Sequence, residues 1–198
     1  MNAAKPKTMN KLKNTLIALS CGLLLTAAAR AQDTNAPRTE LDAFEGSVGV
    51  VIVRGSADIG VVNTENGAVS VRCKQSIEPR SGRKLFGLAI TLTGKDGVSD
   101  TTIVDYAELE SLVNGLDFLG TANWSMTSLP NFDAVYTTRD GLVVSAYSSQ
   151  RQPGTLGASL KSARAAKVRV ALGLQDFAQF RGLIQQAKGK LDTIKTGQ

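Results

Sequence analysis

Phe86, Leu88, Ile90 and Leu92 occupy every second position of one segment, with Gly87, Ala89, Thr91 and Thr93 alternating between them. Successive residues of an extended chain point to opposite sides, so such a run buries one face and wets the other. A helix has no use for it, because a period of 3.6 would scatter these apolar side chains around the whole cylinder. The pattern recurs. Val69, Val71 and Cys73 alternate with Ser70, Arg72 and Lys74, and Leu156, Ala158 and Leu160 oppose Ser159 and Lys161. Val168, Val170 and Leu172 alternate with Lys167, Arg169 and Ala171. Half-buried strands of this kind belong to antiparallel sheet with one dry face. Residues 48–54, apolar on both sides, read as a central strand.

Asn66-Gly67, Asp96-Gly97 and Asp140-Gly141 each separate two such runs, and pairs of this type tolerate the positive φ angles of tight hairpins. A two-residue loop at Asp140-Gly141 sets Thr138 opposite Val143, Tyr136 opposite Ser145 and Ala134 opposite Tyr147. Phe132, Tyr136 and Tyr147 would then share a face.

Two segments change to the helical period. Asp105-Tyr106-Ala107-Glu108 has the spacing of a capping box, and Leu109, Leu112, Val113, Leu116 and Leu119 follow as a stripe ending at Gly120. A second helix is expected from about residue 174 to 194, with Phe177, Phe180, Ile184, Ala187, Leu191 and Ile194 on one side. Gly182 and Gly189 weaken it by about 1 kcal/mol each relative to alanine, so it should gain its order by docking. Each half of the chain thus reads as several strands followed by one helix. The residues of the halves do not align convincingly as a duplication.

The N-terminus reads differently. Lys5, Lys7, Lys11 and Lys13 precede an apolar run over residues 16–29, and Ala29-Arg30-Ala31 offers small residues where a signal peptidase reads them. This order predicts an export signal (residues 1–31) cut after Ala31, with a periplasmic or extracellular product. Cys21 lies inside the apolar run and not at its end, which favours plain cleavage over lipidation. Residues 32–46 are expected to form a flexible lead-in and 47–195 a single domain. No further run is long enough to span a membrane.

The leader also accounts for the charge. The chain has 23 basic and 17 acidic residues, a net +6. Five of the basic residues and no acid lie in the leader, leaving 18 against 17. The high isoelectric point is therefore no warrant for a nucleic-acid partner. Cys73 is the one cysteine outside the leader, so no intramolecular disulfide is expected there, and on an apolar face it reads as a small core residue.

The chain contains no histidine. That removes Ser-His and Cys-His catalysis and imidazole metal ligation. No phosphate loop or dinucleotide fingerprint occurs, and no cofactor, metal or catalytic residue is expected. Ser81-Gly82-Arg83-Lys84 and Lys195-Thr196-Gly197 match fragments of the serine acyl-enzyme motifs, but one falls in a loop and the other at a frayed end. Asp96, Asp100 and Asp105 do not meet the calcium-loop pattern. Asn123-Trp124-Ser125 is a formal glycosylation sequon. Trp124, Tyr136 and Tyr147 are candidates for lining a pocket.

One constellation remains. The wet positions Arg72, Lys74, Lys161, Lys167 and Arg169 are all basic. If their strands are neighbours, the outer face of the sheet is locally cationic and suited to an anionic envelope component or another exported protein. The expectation is an α+β domain: mainly antiparallel sheet of about seven to nine strands, with two amphipathic helices packed mostly on one face. The function expected is non-enzymatic binding or assembly at the cell envelope. The alternatives are a carboxylate enzyme acting on a glycan and a carrier of a lipid or small molecule.

Overall fold

The computed structural model describes residues 38–148, 156–162 and 168–197. After a short helix α1 (Glu40–Glu45), four strands form an antiparallel meander: β1 (Val53–Thr64), β2 (Gly67–Ile77), β3 (Lys84–Gly94) and β4 (Ser99–Asp105). A 3-10 turn leads into α2 (Leu109–Gly120). A second antiparallel meander follows, with β5 (Asp133–Thr137), β6 (Leu142–Ser148), β7 (Leu156–Ser162) and β8 (Arg169–Leu172), and α3 (Leu174–Thr196) closes the chain. The class is α+β, and the eight antiparallel strands among the described residues form two four-stranded sheets instead of one. Alternation specifies which side of a strand is dry. It carries no label for which strands share a ladder, because every half-buried strand looks alike.

One apolar cluster joins both sheets and both long helices. Val62, Val71, Leu88, Ile90, Leu160 and Val170 from the strands meet Leu112 and Leu116 of α2 and Phe180 and Ile184 of α3, all fully buried. The stripe read for α3 is the buried one, Phe177, Phe180, Ile184, Ala187 and Leu191, with Ile194 partly buried. Cys73 is buried here too, and burial pushes its thiol pKa up. Polar contacts fasten α3 to the start of α2. The Tyr106 hydroxyl donates to the Asp192 carboxylate at 2.7 Å, and Lys188 reaches Asp192 and Glu110 at 3.1 Å each. The Lys195 ammonium lies over the Tyr106 ring, 4.1 Å from its centre.

Several local expectations change. Asp105 does not cap the helix that follows it. Its carboxylate instead accepts the Glu40 N–H at 2.8 Å and the Leu41 N–H at 3.0 Å, holding the start of α1. A partner more than sixty residues away is invisible to a local cap pattern. α1 itself falls within the stretch expected to be a flexible lead-in. Thr39 accepts the Asp42 N–H, and Leu41 and Phe44 are buried. Residues 48–54 are not a central strand. β1 begins only at Val53 and forms the edge of its sheet, with exposed valines before it.

The β5–β6 hairpin is offset by one residue from the expected register. Tyr136 faces Val144 and Ala134 faces Ala146. The Thr138 N–H donates to Leu142 O and the Gly141 N–H to Thr138 O, closing a three-residue loop whose Gly141 has φ 91°. An odd loop length exchanges the faces of one strand relative to its partner. Tyr136 and Tyr147 therefore lie on opposite sides.

Candidate functional site

Of the five basic positions singled out, Arg72 and Lys74 lie on sheet 1 while Lys161 and Arg169 lie on sheet 2. Lys167 lies outside the described residues. Lys161 and Arg169 face each other directly across β7 and β8, and the Arg169 guanidinium stands 5.8 Å from the centre of the Tyr147 ring. They form a small exposed cluster of their own.

On sheet 1 the alternation builds more. Even positions of β2 and odd positions of β3 turn away from the core, so Arg72 pairs with Ala89 and Lys74 with Gly87 across the ladder. β1 contributes Arg54 and Ser56 to the same side, and β4 contributes Thr101. Together they line an open trough of about 560 Å³, with Ala89 and Ile103 paired across β3 and β4 at its apolar part and Arg54, Ser56, Ser70, Arg72, Lys74, Thr91 and Thr101 around them. Alanine at position 89 leaves room that a long side chain would fill. Thr91 and Thr101 are hydrogen-bonded to each other at 2.7 Å, and Thr93 to Ser99 at 2.9 Å, giving a hydroxyl ladder along β3 and β4.

The cations are held in place by acids. Lys74 donates to the Glu45 carboxylate at 2.7 Å, Ser76 to its other oxygen at 2.7 Å, and Arg54 stands 3.6 Å from it. Burial alone would raise the Glu45 pKa, but those hydrogen bonds and the charges of Lys74 and Arg54 outweigh it and hold the carboxyl below the usual range. Glu45 therefore contributes stability above the ordinary glutamate pKa, and that contribution is lost as pH falls through its lowered value. Arg72 donates to Asp58 at 2.6 Å with both groups largely exposed, so that pair contributes little. Three cations meet two acids, which leaves the trough mildly positive. Arg54 was missed because residues 48–54 read as a buried strand. Glu45 was missed because it was placed in a flexible lead-in.

A second cavity, about 450 Å³, lies between the end of α2, the start of α3 and strands β6 and β7. Leu119, Ala122, Ala146, Ala158, Leu174 and Phe177 make it mainly apolar, and the Arg181–Asp117 ion pair stands at its side. None of Trp124, Tyr136 and Tyr147 lines either cavity. Trp124 packs edge-on against Phe132, and Tyr136 donates to Ser111 at 3.0 Å.

The acids weighed for a calcium site hold local structure instead: Asp96 accepts the Val98 N–H, Asp100 the Ser162 hydroxyl at 2.6 Å, and Asp105 the first N–H groups of α1. Asp140 of the hairpin turn accepts the Ile103 N–H at 2.6 Å. Among the described residues no group of three or more potential ligands is placed to hold a metal ion. Ser81 donates to Glu78 in the loop between β2 and β3, and Lys195 and Thr196 are the last residues of α3, so neither motif fragment has the helix-start or core-strand setting its chemistry needs. Asn123 accepts from both the Ser125 N–H and its hydroxyl, capping a 3-10 turn.

Glu108 is the acid held least comfortably. It is 9% exposed, with one oxygen accepting the Arg139 N–H at 2.9 Å and the other buried without a hydrogen-bond partner. Burial raises its pKa, and the charges of Asp105 and Asp140 add to the rise against the Arg139 N–H and guanidinium. A carboxyl whose folded pKa exceeds its unfolded one favours the fold most below the unfolded value. That advantage is lost as pH rises through the folded value. Glu108→Gln keeps the acceptor for Arg139 and places a donor on the orphan atom. It should raise stability at neutral pH by about 1 kcal/mol, and the gain should vanish below the glutamate range. Urea midpoints at neutral and acid pH measure this; a neutral-pH gain of zero would mean the carboxylate is hydrated.

No protein family matches this chain, and no curated protein is detectably similar to it.

Proposed function

We propose that this is an exported, non-enzymatic binding protein that holds an anionic polysaccharide of the cell envelope on the outer face of sheet 1. The observation that carries the reading is the trough itself. Arg54, Arg72 and Lys74 converge on an open trough that also presents Ser and Thr hydroxyls around Ala89 and Ile103. A polysaccharide bearing carboxylates or phosphates presents anions beside neutral hydroxyls, and these walls offer charged donors beside Ser and Thr hydroxyls. The leader of basic, apolar and small residues supports export. The acids with known partners hold backbone or side chains in place, which supports binding over carboxylate catalysis.

Because each cation already has an acidic neighbour, affinity is expected to be modest and to fall with added salt. Binding to polygalacturonate, with neutral dextran as control, tests the reading by affinity electrophoresis. Arg72→Glu should weaken binding about tenfold, or 1.4 kcal/mol, whereas Arg169→Glu on sheet 2 should leave it near the wild-type value. Equal retention of Arg72→Glu and wild type would overturn the assignment.

The apolar cavity beside α3 favours a second reading, a small-molecule or lipid carrier, since its volume lies in the range of ligand sites. Ala178 lies in its lining. Ala178→Trp would fill the cavity and abolish uptake of an apolar dye without touching polysaccharide binding.

A further inference from the structure

The edge of sheet 1 carries a second arrangement, which shares Arg54 and Ser56 with the trough and adds Asp58. β1 is twelve residues long and, among the described residues, pairs with β2 alone. An edge of this length presents a row of backbone donors and acceptors facing outward. Leading into it is an apolar run in which Val51 is 73% and Val53 51% exposed. Exposed β-branched residues beside an open edge are the ingredients of strand addition.

The charges select the occupant. Arg54 and Asp58 stand four residues apart on one side of β1, with Ser56 midway. We propose that two copies of this protein pair through β1, antiparallel, about a two-fold axis at Ser56. In that register Arg54 of each copy faces Asp58 of the other. An axis at residue 54 or 58 would set like charges face to face, which is unfavourable. Arg54 already donates to the Glu45 carbonyl at 2.8 Å, and Asp58 accepts from Arg72. A guanidinium has five N–H donors and a carboxylate accepts several, so each keeps its present partner and gains another. The β-bulge beyond Asp58 ends the regular ladder and limits pairing to the first half of the strand. The interface is self-complementary, as a closed two-fold dimer requires.

Such a dimer merges the two sheets into one of eight strands and sets the two troughs side by side on the same face. The pairing does not rest on polysaccharide binding, and Asp58 does not line the trough, so the two ideas fail separately. Sedimentation equilibrium of the purified protein should show a dimer. Arg54→Asp and Asp58→Arg should each give monomer, with circular dichroism unchanged, and the double variant R54D/D58R should restore the dimer. Ser56→Cys should yield a disulfide-linked dimer on oxidation. A monomeric wild type, a dimer indifferent to both single changes, or a dimer that Ser56→Cys does not cross-link would overturn the proposal.

Discussion

Phe180→Ala should lower the stability of this protein by about 3–5 kcal/mol. Phe180 is fully buried at the second step of the α3 stripe, in the cluster where both sheets and both long helices meet. Its ring fills space that neighbours on several elements would have to move together to recover, so collapse of the cavity is incomplete. The loss also falls on the element least able to absorb it. Gly182 and Gly189 lie in the middle of α3, and each lowers the intrinsic stability of the helix. Docking is what keeps α3 ordered, and Phe180 is central to docking. A urea titration measures the effect as a lower midpoint at unchanged slope. A cost below about 1 kcal/mol would mean that α3 is not seated on the core as described.

Gly67→Ala is expected to be nearly as damaging, for a backbone reason. Gly67 opens β2 just after the Glu65-Asn66 turn, with φ at 140°. That conformation is reserved for glycine. A Cβ there would stand 2.1 Å from the carbonyl oxygen of Thr93 on β3, which is backbone and cannot swing aside. Strain of this kind costs about 1–3 kcal/mol, and the clash adds to it by forcing β2 away from β3. The expected result is a total near 3 kcal/mol together with faster exchange of amide protons at the β1–β2 hairpin end. Exchange rates equal to wild type would show that the two strands separate there at no cost.

The buried faces were legible residue by residue, since alternation at Phe86, Leu88, Ile90 and Leu92 and the 3-4 spacing from Phe177 to Leu191 are local patterns. Turn chemistry was legible to within one residue. Asn66-Gly67 marked a hairpin whose turn is Glu65-Asn66, and Asp140-Gly141 marked one whose loop has three residues instead of two. That single residue decides which side of β6 faces Tyr136, and dipeptide composition does not count loop residues. The trough was half legible. Arg72 and Lys74 stood out on the wet side of their strand. Arg54, Asp58 and Glu45 did not, because their place depends on β1 lying at an edge and on α1 folding back over Lys74.

Asp105 draws the boundary. Beside Glu108 it has every local mark of a helix cap, yet its two oxygens hold the first N–H groups of α1. Which side chains turn inward, where helices can persist and which catalytic groups are missing follow from residue identity and spacing, because a strand repeats every two residues and a helix every 3.6. The division of eight strands into two sheets, the partner of each carboxylate and the gathering of cations on one trough were decided only in three dimensions. Those contacts join residues dozens of positions apart, and a buried polar group takes whichever partner the packing brings to it.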